Sequence, residues 1–146
     1  MHATRREPTR EPDGTDWGFQ AGVPRKLVTW GLLVWFSVAV TIRLTGHILL
    51  NPNNPLVVAG FFALVIPLMA LVTYPIYHRF DIERAARPVA AGIMSIPGMF
   101  LDVGLVVNAN QIFPAMSPAM VVNFGAILLF GYAVVLLTGF YPAWNT

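Results

Sequence analysis

Between Lys26 and Arg79 the chain carries one full charge, Arg43, and beyond Asp102 it carries none. A soluble domain of 146 residues has no use for charge-free stretches of that length, because its surface must be wetted on every face. Hydrocarbon is the solvent that such a sequence suits. With 56% hydrophobic and 11% charged residues, against about 25% charged in an average soluble domain, composition points the same way. The absence of cysteine removes disulfides, thiolate metal sites and a cysteine nucleophile.

Crossing about 30 Å of hydrocarbon takes a helix of about 20 mainly apolar residues, since backbone groups there must be satisfied internally. Four stretches qualify, about 27–50, 56–77, 88–108 and 119–140, which predicts an all-α four-transmembrane-helix bundle over residues 26–142. Residues 1–25, polar and rich in charge, read as a disordered cytoplasmic tail, and 143–146 as a short C-terminal one. The apolar run after the tail is too long for a cleaved signal and lacks a small-x-small site. Asn51 to Pro55 is a turn sequence. Arg and Lys fall in the tail and in the loop containing Arg79, Arg84 and Arg87, while the other two loops have none, so the positive-inside rule places both termini in the cytoplasm of a multi-pass cell-membrane protein. Trp17, Trp30, Tyr74, Tyr77, Tyr141 and Trp144 lie near the same ends, as an aromatic belt would. Kinks are expected near Pro67 and Pro97. Thr73-Tyr74-Pro75 and Thr138 to Pro142 close the second and fourth spans alike, which is compatible with two tandem helical hairpins.

Lone charges inside spans are costly, about 2.5–3.5 kcal/mol on insertion scales, and they usually face the bundle and pair. If the first span is centred near Val38 and the third near Gly98, Arg43 and Asp102 lie about 7 and 6 Å towards the outer face. That predicts an Arg43–Asp102 salt bridge. Ala91, Ser95, Gly98 and Asp102 form a stripe of small residues, so Asp102 should face protein. His47 follows Arg43 by one turn, and Asn108 and Asn123 belong to the same outer end, completing a predicted polar cluster. Its structural reading is a pair that fixes helix order; its functional reading is an outward-facing site for an anion or a proton relay. Met94, Met99, Met116 and Met120 read as gap fillers, and no metal or other cofactor is expected.

No metalloprotease, hydrolase, P-loop or dinucleotide motif is present, so the leading expectation is a non-enzymatic protein. It would be an accessory subunit or a self-associating bundle, with the lipid bilayer and a membrane-protein partner or second copy as its contacts and no nucleic acid. The alternative is a small transporter or sensor working at Arg43, His47 and Asp102.

Several segments resemble a family of small prokaryotic four-helix membrane proteins known only as a domain of unknown function. They are Arg43-Leu44-Thr45-Gly46-His47, Asn51 to Pro55, Pro97-Gly98-Met99-Phe100-Leu101-Asp102, Phe113-Pro114, and the last helix with Phe124-Gly125-Ala126, Leu128-Leu129, Gly131-Tyr132 and Leu136-Leu137-Thr138-Gly139. The resemblance covers Lys26 to Tyr141. It implies the four-helix architecture, carries no activity, and suggests that Arg-x-x-Gly-His and Pro-Gly-x-x-Leu-Asp are marks of the family.

Overall fold

The computed structural model describes residues 18–141, so most of the tail and the segment 143–146 lie outside the described residues. Helix α1 spans Val23–Leu49, α2 Pro55–Arg79, α3 Arg87–Val107, α4 Ala109–Ile112 and α5 Pro118–Phe140. A short 3-10 turn, Arg84–Ala86, precedes α3. The four long helices are each long and apolar enough to cross a membrane.

Each long helix opens with proline in its first turn, at Pro24, Pro55, Pro88 and Pro118, where no helical N–H is lost and φ is already set. The α1–α2 turn forms as its sequence suggests: Asn53 N–H donates to Asn51 Oδ1 at 3.0 Å, and Asn54 N–H to the Asn51 carbonyl at 3.0 Å. Residues 23–25, assigned to the tail by composition, belong to α1. Helices α2 and α3 continue through Pro67, Pro75 and Pro97.

The chain makes two up-and-down hairpins, but they do not pack equally. Helices α3 and α5 form the centre; α1 lies on α3, α2 lies on α5, and α1 and α2 barely touch. Close approach explains the centre. A Cβ on Gly139 would come within 2.9 Å of Pro88 Cα, and one on Gly31 would collide with the Met94 backbone, so neither contact tolerates a side chain.

Two apolar clusters stand at opposite ends. The basic end, carrying Arg79, Arg84 and Arg87, holds Val23, Leu27, Ile76, Tyr77, Ala90 and Met94. Tyr77 is fully buried there, its hydroxyl 3.1 Å from Thr138 Oγ1, so it is core and not the interfacial aromatic expected. Arg87 is buried too, its guanidinium 5.3 Å from the Tyr77 ring. The far end is closed by the α3–α5 connection, which tucks Ala109, Phe113 and Met116 beneath Phe124 and Ile42. Phe113 and Phe124 meet edge to face at 5.1 Å.

Candidate functional site: a carboxyl held between tryptophan and tyrosine

The stripe on α3 faces protein as its spacing requires: Ala91, Ser95, Gly98 and Asp102 are all buried. Asp102 is 6% exposed, and both its oxygens are taken. Trp35 Nε1 of α1 donates to Oδ1 at 2.7 Å, and the Tyr132 hydroxyl of α5 donates to Oδ2. Gly98, one turn before Asp102, makes this convergence feasible, since a Cβ there would lie 2.7 Å from the Tyr132 hydroxyl and 3.2 Å from Trp35 Cδ1. Three helices are thereby joined through one carboxyl. Two uncharged donors satisfy it in a setting where a second charge would bring its own desolvation cost.

Arg43 is not its partner. Helices α1 and α3 run parallel with Gly31 beside Met94 and Trp35 beside Gly98, so Asp102 is level with about Ala39, roughly 6 Å short of Arg43. Rotation separates them further: Ile42 and Gly46 form the buried edge of α1, and Arg43, one residue on, is turned about 100° away and exposed. The predicted salt bridge assumed that equal distance from each span's centre meant equal depth. Packing set a different register.

The wider polar cluster separates in the same way. His47 is exposed on the Arg43 side of α1. Asn108 is exposed, its Nδ2 donating at 2.9 Å to the Gly104 carbonyl of its own helix. Asn123 Nδ2 donates to the Leu50 carbonyl at 2.9 Å, tying the start of α5 to the end of α1. Of the five residues grouped by sequence, Asp102 alone sits among the three helices. Trp35 and Tyr132 were missed because an aromatic inside an apolar span reads as packing or belt.

Two apolar cavities flank the carboxyl. One, of about 470 Å³, lies between α1 and α2 over a floor from α3 and α5 and opens sideways, where Leu33, Ser37, Thr41 and Leu68 are exposed. The other, of about 620 Å³, lies between α3 and α5 on the far side and includes Asp102, Phe100 and Leu129. Tyr132 borders both.

Residues 48–146 match the model of a family of unknown function, DUF5367. The chain belongs to that family. The match takes in α2 through α5, with Asp102 and Tyr132, and starts beyond Arg43 to His47, so within it lies only the second of the two segments suggested as DUF5367 marks. No curated protein and no solved structure matches the chain.

Proposed function

We propose that this DUF5367 protein is non-enzymatic and acts by helix–helix association in the cell membrane, as an accessory subunit of a larger assembly or by associating with copies of itself. The observation that carries the reading is the outward stripe of α1. Phe36, Val40, Arg43 and His47 recur at i, i+4, i+7 and i+11 and are all exposed, on the face turned away from α3. Among the described residues none pairs with Arg43, yet it stands within a helix long and apolar enough to span the membrane. A guanidinium so placed calls for an acceptor outside the chain, and a carboxylate on a neighbouring helix would meet it with matched fork geometry.

The clustering of Arg25, Lys26, Arg79, Arg84 and Arg87 at one end supports an orientation with that end, and both termini, in the cytoplasm. A transporter or sensor built on Arg43, His47 and Asp102 loses its motivation, because those side chains do not converge.

Photo-crosslinkers at Phe36 and Val40, followed by co-purification in mild detergent, test the reading. They are expected to capture a stoichiometric protein, and Arg43→Glu is expected to abolish capture. Equal capture from Leu71, exposed on α2, would count against a specific face. A reporter fused after Thr146 that signals from outside the cytoplasm would overturn the orientation.

A further inference from the structure

The outward stripe of α1 is longer than the four residues that mark it. Thr29 and Leu33 precede Phe36, Val40, Arg43 and His47 at alternating steps of four and three, and all six are exposed. Those steps are the seam of a left-handed helix pair, the hand with which most helices in membranes cross. From Thr29 to His47 the seam follows α1 for about 27 Å, nearly the depth of the hydrocarbon. Arg43 is its one formal charge, and a lone polar group on a seam selects which helix can lie against it.

A second copy cannot answer that charge. Two α1 seams running the same way would set Arg43 against Arg43, and like charges facing each other in hydrocarbon repel. No other face of a copy supplies an acid at this depth. Among the described residues Asp81 and Glu83 lie at the opposite end of the bundle, and Asp102 is 6% exposed with both oxygens bonded. Glu7, Glu11, Asp13 and Asp16 precede Val23, itself about 30 Å of helix from Arg43. We propose that the seam pairs with a transmembrane helix of a different protein, which carries one Asp or Glu level with Arg43, about 9 Å before the Leu49 end of α1. The carboxylate takes both arms of the guanidinium, and Leu33, Phe36 and Val40 pack along the rest of the seam. This rests on the association reading above and takes its accessory-subunit branch.

The test exploits a chain without cysteine, in which Asn53→Cys, in the exposed turn near the Arg43 end, carries one fluorophore on the full-length protein. The probe is a synthetic leucine–alanine transmembrane helix bearing the second fluorophore and a single Glu at the matching depth, titrated in phosphatidylcholine bicelles. Saturable energy transfer is expected. A Gln in place of the probe's Glu should raise the apparent Kd about tenfold, the scale of one hydrogen-bonded charge pair, and a Lys should abolish transfer. Arg43→Glu should reverse the preference, the Lys probe binding and the Glu probe not, which also shows that the variant is folded. Equal binding of the three probes overturns the proposal and leaves Arg43 to the lipid headgroups, and absence of saturable transfer with the Glu probe overturns it too. So does a disulfide formed between copies through Val40→Cys alone, which would make the seam a self-contact while the association reading stands. Failure of that reading shows separately, as no protein captured from Phe36 or Val40.

Discussion

At the scale of single residues, Asp102 holds the most consequential position, because it is an acceptor shared by two other helices. Interhelical hydrogen bonds in membranes average about 0.6 kcal/mol and reach about 1.7, less than removal of a buried partner costs in water-soluble proteins, because the separated helices also find partners. Tyr132→Phe is therefore expected to destabilise by about 1 kcal/mol and Asp102→Ala by about 2. Reversible unfolding in mixed micelles would measure both. A double-mutant cycle between the two positions should show positive coupling, and additivity would remove the Tyr132 bond from the account. Arg43→Leu, by contrast, should leave the stability of the isolated chain within about 0.5 kcal/mol, since the Arg43 side chain is exposed. Exchanging the two charges, Arg43→Asp with Asp102→Arg, should not restore a stable fold, because it places a guanidinium against the Trp35 and Tyr132 donors. Recovery of wild-type stability would show that the two side chains meet after all.

At the scale of elements, glycine decides which helices may touch. Gly31, Gly98 and Gly139 lie where a Cβ would collide with backbone or with the converging side chains, whereas Gly60, Gly92, Gly104 and Gly125 have open space around them. Gly31→Val and Gly139→Val should each cost at least the 1–3 kcal/mol typical of overpacking. Gly92→Ala should be neutral or slightly stabilising, as alanine is the better helix former by about 1 kcal/mol. Thermal unfolding of the three variants beside wild type would separate these outcomes, and equal effects at Gly31 and Gly92 would contradict the α1–α3 contact. The sequence distinguished Gly98, through the stripe on α3, and none of the other glycines. Its stripe on α3 was legible because four small or polar residues kept helical spacing, while an isolated Gly31 carries no period to read.

At the scale of the molecule, the arrangement has a centre and two arms. The second hairpin packs on itself through α3 and α5, while α1 and α2 of the first straddle it. Cysteine pairs placed across α1 and α3 should therefore crosslink readily with a short reagent. Pairs across the middle of α1 and α2 should need a long one, and rapid short-range crosslinking there would mean that the side cavity closes. This arrangement also explains why the far end is not the polar opening that its amides suggested. The loop residues Phe113 and Met116 turn inward against Phe124, and the amides are left to bond backbone carbonyls or face outward.

Length and polarity alone determined that this chain has four apolar helices and where its turns fall, since a span needs a minimum run of hydrocarbon and prolines and asparagines mark its limits. Helical periodicity also determined that Asp102 faces protein. Which groups meet that carboxyl was decided only by tertiary packing. The register of α1 on α3 depends on where backbones can approach, at Gly31 and Gly98, and it sets Asp102 about level with Ala39, so that Trp35, one turn before, reaches the carboxyl while Arg43, one turn beyond, is rotated away from it. Depth counted from the ends of two separate spans contains no information about that contact.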